Sequence, residues 1–305
     1  MKRPMPLPLL CLVSVVILLA GRHAQAADYA VSMQPGLIYA EHDGIKLLGD
    51  LYQPKGLPKA PVLVAMHGGG WQAGTRATYK YWGPFLARNG IAVLSIEYRL
   101  GPPGLYPKAV YDAKAAIQFV RAKAATFDID PDRVGLIGDS AGAHLSALVA
   151  LADDQFAAQY VDDANAGVSA RVKVVVGIYG VYDMLQQWEH DIAARPRDNI
   201  GEKFLGVPPM QNRRVYFDSS PISYATVDRN RARFLLIHGT DDDIVEPSSQ
   251  SGAFLTALTR AGIFVRRIVV PGAGHFWAAD PFENDPQSFG AIVAPRLLQF
   301  LQNSL

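Results

Sequence analysis

The 305-residue sequence contains a single cysteine, Cys11, so no internal disulfide framework is available to it. It also lacks an excess of either charge. Its 29 Lys and Arg face 28 Asp and Glu, a formal balance of +1 that gives no electrostatic footing for a nucleic acid or an anionic membrane surface. Charged residues are sparse, 19% against 50% apolar, which is incompatible with a disordered chain. No internal repeat, heptad pattern, low-complexity tract or Pro/Gly/Ser-rich linker breaks the sequence, so solenoids and tandem domains are excluded. A single folded domain working on small molecules is the expectation that remains.

Long apolar runs are missing as well. The longest, over residues 7–20, is broken by Pro8 and Ser14, and its roughly 14 residues fall short of the roughly 20 that span a bilayer. Lys2 and Arg3 precede it and Ala24-Gln25-Ala26 follows it, the layout of a signal peptide cut after Ala26. Cutting there leaves 279 of the 305 residues, takes away Lys2, Arg3 and Arg22 and so leaves 26 basic against 28 acidic groups, and removes Cys11. A lipid anchor on Cys11 would need a small residue before it, and Leu10 stands there. An exported protein, periplasmic or secreted, with no stable membrane anchor after cleavage is expected.

Strand-length apolar runs recur at 45–52, 61–66, 91–98, 133–137, 172–179, 234–238 and 265–270. Several are apolar throughout, as suits strands buried on both faces of a mainly parallel sheet. Stretches of helical spacing lie between them at 75–88, 107–126, 141–152, 247–261 and 286–301, the second opened by Pro107. This alternation predicts an α/β fold, with helices on both faces of the sheet. One interval departs from the rhythm: residues 183–230, rich in polar and aromatic residues and carrying Pro196, Pro208, Pro209 and Pro221, read as a crossover insertion that shapes a pocket.

The chemistry centres on Gly138-Asp139-Ser140-Ala141-Gly142. The pentapeptide alone is weak; its placement between a strand and a helix strengthens it, because a serine in that tight turn is held out above the C-terminal edge of the sheet. After the 61–66 run comes His67-Gly68-Gly69-Gly70-Trp71, whose glycines let backbone N–H groups face a developing negative charge. Gly69, Gly70 and the N–H of Ala141 are the expected oxyanion donors. The run lacks the Lys-Ser/Thr ending of a P-loop and the spacing of a dinucleotide site.

A serine nucleophile needs a base, usually a histidine oriented by a carboxylate. Of the six histidines after residue 26, His67 belongs to the glycine loop and His144 lies one helical turn past Ser140. His42 precedes the sheet proper, His190 sits in the insertion and His238 closes a strand. His275, in the flexible Gly272-Ala273-Gly274-His275-Phe276 loop after the last strand, is the expected base. The acid comes from Asp241, Asp242 or Asp243, between which spacing does not choose, with Asp183 as an outside candidate. A metal site on His238 and these aspartates lacks a second ligand pair, so no metal or cofactor is expected.

With these residues identified, the chain resembles the α/β-hydrolase fold. Within it, the resemblance is to the esterase/lipase group related to hormone-sensitive lipase, most closely to small bacterial carboxylesterases of the feruloyl and acetylxylan esterase-like type. It runs from about Gly44 to Leu301. Further markers are Glu97-Tyr98-Arg99-Leu100, Ala143-His144-Leu145, Phe204-Leu205-Gly206 and Ser220-Pro221-Ile222. The group's His-Gly-Thr-x-Asp-x-x-Val pattern falls on residues 238–245 and implies Asp242 as the acid. Many relatives carry an N-terminal helical cap; here only residues 27–43 precede the first expected strand, which implies a small covering structure. Trp188, Phe204, Tyr216, Trp71, Phe276 and Trp277 are candidate pocket walls, and equally candidate core residues.

The resemblance implies a serine ester hydrolase acting on a small-molecule ester of short to medium acyl chain. A peptidase or formamidase on the same framework, or a catalytically silent binding protein, are the alternatives.

Overall fold

The computed structural model describes residues 28–156, 163–229 and 232–305. The expected leader, residues 1–26 with Cys11, lies outside the described residues.

The strands are β1 Val31–His42, β2 Ile45–Pro54, β3 Ala60–Met66, β4 Ala92–Ile96, β5 Ile129–Asp139, β6 Val174–Ile178, β7 Arg233–Gly239 and β8 Val265–Val270. Among the described residues they form one sheet in the order β1-β2-β4-β3-β5-β6-β7-β8. β1, β2 and β4 pair antiparallel; from β4 onward every pairing is parallel. This arrangement is the α/β-hydrolase fold expected from the sequence.

Apolar runs without alternation form the central strands because both faces of the sheet are covered. In β3, Val62, Val64 and Met66 enter one core while Leu63 and Ala65 enter the other. Helices α2 Lys108–Ala122, α3 Ala141–Ala152 and α7 Ala253–Arg260 close the first face, through residues such as Val110, Leu145 and Phe254. The second is closed by α1 Trp82–Arg88 and α8 Phe289–Gln302, through Trp82, Leu86, Val293 and Leu297. Among the described residues no helix is long and apolar enough to cross a membrane.

Apart from shifts of one to four residues at the ends of other elements, three stretches differ from expectation. β1 occupies the stretch read as preceding the first strand. It is an edge strand with Pro35-Gly36 at a break in its register with β2, so it shows no long apolar run. The helix expected over 75–88 is divided into a 3-10 turn, Arg76–Tyr79, capped by the Thr75 hydroxyl, and then α1. Pro84 explains the division. In an unbroken helix its ring would meet the carbonyl four residues back, whereas in the first turn of α1 it is tolerated. Finally, the helix expected over 247–261 opens with a π turn, Ser248–Gly252, that runs into α7.

Among the described residues between β6 and β7, the chain makes α4 Met184–Ala194, α5 Ile200–Leu205 and α6 Arg213–Asp218, plus two short 3-10 turns. Asp183 caps α4, its carboxylate accepting from the N–H groups of Leu185 and Gln186, which removes it as the outside candidate for the acid position.

β3 is the switch point of the sheet, because the chain leaves it toward β4 on one side and returns to β5 on the other. Crevices in α/β sheets open where the strand order reverses, at the C-terminal strand ends. Here those ends carry the glycine loop and Ser140.

Candidate active site

Ser140 sits between β5 and α3 with φ +50, in the left-handed region that a non-glycine residue occupies only under constraint. The constraint is visible at both ends of the turn. The Ser140 N–H donates to the Ile178 carbonyl at 2.9 Å, and its own carbonyl accepts from the His144 N–H at 3.1 Å. Close packing demands a glycine beside it: a methyl group on Gly142 would lie 1.9 Å from the Met66 carbonyl oxygen at the end of β3.

The 272–276 loop brings His275 to this turn. Its Nε2 lies 3.0 Å from Ser140 Oγ, and its Nδ1 lies 2.7 Å from Asp242 Oδ2. With Nδ1–H donating to the carboxylate, the Nε2 lone pair faces the serine hydroxyl. Asp242 is buried while Asp241 and Asp243 are exposed, so the turn directs only the middle carboxylate toward the imidazole. Burial opposes the ionisation of Asp242, but hydrogen bonds from His238, His275 and the Val245 N–H outweigh it and hold the carboxyl well below its ordinary range. The other oxygen, Oδ1, accepts from the N–H groups of Ile244 and Val245 at 3.0 and 2.9 Å. Asp242 is therefore a fixed anion.

The glycine loop leaves β3 directly alongside. Gly69 has φ +110, and a methyl there would meet the Ala73 carbonyl oxygen at 2.2 Å, so the loop closes only around glycine. His67 anchors its start, donating Nδ1–H to the Gly68 carbonyl at 2.7 Å and stacking on Tyr98 with ring centroids 4.4 Å apart. The Tyr98 hydroxyl returns a bond to the His67 carbonyl at 2.7 Å. Trp71 anchors its end, fully buried and stacked on Phe204 of α5 at 4.4 Å.

A sequence model of the BD-FAE family matches residues 49–258, more than half of the chain. The chain belongs to the BD-FAE family. It is 36% identical over 237 residues to the Mycobacterium tuberculosis protein Esterase LipC, covering 74% of this chain and 56% of that one. To an Arabidopsis thaliana protein, the probable isoprenylcysteine alpha-carbonyl methylesterase ICMEL1, it is 31% identical over 262 residues, or 83% of this chain and 52% of that one. It spans about half the length of these curated relatives. A solved structure of a truncated carbohydrate esterase from gut microbiota superimposes with a TM-score of 0.70 at 25% identity, covering 91% of this chain and 97% of that one.

Around the three aligned side chains, this BD-FAE chain has a support layer that the sequence did not reveal. Asp139, next to Ser140, is buried, and burial pushes its carboxyl up to about 7 against the lowering effect of hydrogen bonds from the Tyr79 hydroxyl and the Gly68 N–H. Tyr79 Oη is 3.2 Å from Asp139 Oδ1 and 3.3 Å from the Met66 carbonyl, so it ties the end of β3 to the serine turn. Tyr179 is likewise buried, with its ring 4.4 Å from the His275 ring and its hydroxyl accepting the Ala278 N–H at 3.1 Å. Neither tyrosine lies in a motif, and their partners are 60 and 99 residues away.

The remaining histidines have local partners. His238 Nε2 faces the Val245 carbonyl at 3.0 Å and Asp242 Oδ2 at 3.2 Å. His144 is buried, pushed down to about 4 by desolvation, and bonds the Ser219 carbonyl through Nε2 at 2.7 Å. His190 Nε2 faces the Asp243 carbonyl at 2.9 Å. His42 lies in a buried ion cluster with Asp112 and Asp163. Among the described residues, no group of three or more His, Cys, Asp or Glu is placed to hold a metal ion.

The candidate wall residues separate cleanly. Phe204 and Tyr216, like Trp71 and Trp277, are buried core residues, and Trp188 is half-buried with its Nε1 toward Glu202. Phe276 alone of the three beside the catalytic loops is exposed, at 63% against 0% for Trp71 and 5% for Trp277. Sequence reasoning missed Ile200 of α5, whose side chain would lie 3.5 Å from a methyl on Gly70 and which brings the insertion against the glycine loop.

Proposed function

We propose that this protein is a serine carboxylic ester hydrolase with Ser140 as nucleophile, His275 as general base and acid, and Asp242 as the carboxylate that orients and stabilises the imidazolium. The observation that carries the reading is the continuous hydrogen-bonded line from Ser140 Oγ through His275 to Asp242, at 3.0 and 2.7 Å. The names of the relatives LipC and ICMEL1 support the ester as the bond attacked.

The reaction follows in two steps. Ser140 Oγ gives its proton to His275 Nε2 as it bonds to the ester carbonyl carbon, and the carbonyl π electrons move onto oxygen. The N–H groups of Gly69, Gly70 and Ala141 stabilise that oxyanion. Collapse breaks the C–O bond to the alcohol, which takes the proton from the imidazolium, and the acyl group stays on Ser140. Water then repeats the sequence on the acyl-enzyme, releases the acid and restores the serine. A small covering structure suits short to medium acyl chains. The cut after Ala26 would deliver the protein to the periplasm or the medium, which N-terminal sequencing of the mature protein tests, with Ala27 as the expected first residue.

Fluorophosphonate labelling followed by intact mass tests the nucleophile. One adduct on the wild type and none on Ser140→Ala is the expected result; an undiminished adduct on Ser140→Ala refutes it. Rates on p-nitrophenyl esters from acetyl to decanoyl test the acyl range, and a maximum at the longest chains would refute a short-chain pocket.

A further inference from the structure

Phe276 combines two features that packing does not account for. Its φ of +75 puts a bulky aromatic residue in the left-handed region, where such side chains are outliers. The residue is 63% exposed, so this conformation is not offset by burial. The following residues behave differently: Trp277 and Ala278 turn inward and are buried. What the left-handed step does achieve is to set the Phe276 ring edge-on against the His275 imidazole, with centroids 4.5 Å apart and planes at 88°. A strained, solvent-facing aromatic held against a histidine is the kind of local departure that marks a binding surface.

The chemistry says which part of a substrate would meet it. The alcohol of an ester leaves with the proton carried on His275 Nε2, so its oxygen must come within hydrogen-bond reach of that atom. The oxyanion points the other way, toward the glycine loop. The body of the alcohol therefore departs past the residue that flanks the imidazole, whereas the acyl chain stays on Ser140. An exposed aromatic ring there offers an apolar surface that a cyclic alcohol covers well and a two-carbon alcohol barely touches.

We propose that Phe276 is the alcohol-side specificity residue of this esterase, selecting esters whose leaving alcohol carries a ring. The proposal rests on the serine esterase reading above, and its test separates the two. Cyclohexyl acetate and ethyl acetate share an acyl group and have alcohols of similar basicity, so they differ mainly in what the alcohol side touches. Phe276→Ala should lower kcat/KM for cyclohexyl acetate by about tenfold while changing ethyl acetate by less than twofold, and Phe276→Tyr should restore the preference. Phe276→Gly, which keeps the left-handed backbone without strain, should behave like the alanine variant. Deacylation of the common acetyl-enzyme should be unchanged in all of them. Equal losses on both esters would mean that the ring only shields the histidine, and no loss would mean that it contacts nothing; either overturns the proposal. Fluorophosphonate labelling of the same variants at Ser140 reports independently whether the catalytic reading stands.

Discussion

Asp242 Oδ2 lies 2.7 Å from His275 Nδ1, and the carboxylates on either side of it in sequence are exposed to solvent. The oxygen also lies 3.2 Å from His238 Nε2, so this carboxylate is held by a second imidazole ring. Asp242→Asn removes the charge and can present an N–H where Nδ1–H must donate, which favours the wrong imidazole tautomer. Substitution of this kind in a serine protease lowers kcat by about 10⁴-fold. We expect a fall of that order here, with Asp241→Asn and Asp243→Asn within a fewfold of wild type. Steady-state rates on p-nitrophenyl acetate check it; a collapse in either neighbour with Asp242→Asn active would reverse the assignment.

Asp139 provides a pH signature. Its carboxyl is raised to about 7 when folded, against an ordinary value near 4 when unfolded. A raised carboxyl binds its proton more tightly in the native state. Its contribution to stability is thus fully present below the unfolded value and is lost as pH climbs toward the folded one. In Asp139→Asn the amide oxygen can accept from Gly68 and the amide N–H can donate to Tyr79 Oη, without a charge to bury. Between pH 5 and pH 8.5 the wild type should lose on the order of 3 kcal/mol relative to this variant. Urea titrations of both proteins at both pH values measure that double difference, and parallel pH dependences would show that Asp139 does not titrate in this range.

What the sequence made legible follows from how each feature is encoded. β3 and β6 are buried along their whole length, so their pattern is an unbroken apolar run that reads directly as a central parallel strand. β1 shares no such signal, since it gains its place by pairing with β2 at an edge and leaves Met33 and Ile38 exposed. At the site, Ser140 and the 67–71 loop stand out because a strand-to-turn geometry there requires glycines close by. Asp242 differs: spacing does not separate three adjacent carboxylates, so only the family resemblance points to the middle one, and it is the middle one that the turn after β7 buries. Tyr79, Asp139 and Tyr179 were not legible, because their roles exist only once strands distant in sequence bring them together. Phe276 was visible as an aromatic, but not as an exposed one in a strained conformation.

Gly142 should be the least tolerant glycine in the serine turn. A methyl at that position meets the Met66 carbonyl oxygen at 1.9 Å, and the obstacle is backbone in the central strand of the sheet. Overpacking a core with freely moving side chains costs about 1–3 kcal/mol; here β3 itself would have to shift, displacing the glycine loop from Ser140. Gly142→Ala is therefore expected to lose that much stability or more, together with esterase turnover. Gly167→Ala is the control, because nothing lies within 4 Å of a methyl at that position. Thermal unfolding of the two variants should separate them by several degrees or more. Equal melting temperatures would mean that the serine turn has slack that the structure does not show.

The ion cluster behind the sheet gives a test of stability independent of turnover. Asp112 is fully buried and accepts from Arg99 Nε at 2.9 Å and Nη2 at 2.7 Å, from the Arg99 N–H at 2.9 Å, and from His42 Nδ1 at 2.6 Å. Such an arrangement adds little net stability over an apolar core, but breaking a buried pair by removing one partner costs about 3–5 kcal/mol. Asp112→Asn should lose that much at pH 6. The His42 part of the loss has its own pH dependence: desolvation lowers its pKa, but the hydrogen bonds to Asp112 and Asp163 outweigh this, so the net shift is upward. A histidine raised on folding stabilises below its unfolded value and loses that contribution as pH rises through the folded one. At pH 9 the gap between wild type and variant should therefore narrow without closing, since Arg99 keeps its charge and is left with the exposed Asp43 as an ion-pair partner. Denaturant melts at both pH values distinguish the two contributions. A constant gap would place the whole effect on Arg99, and a loss under 1 kcal/mol at pH 6 would mean that water reaches the cluster and screens it.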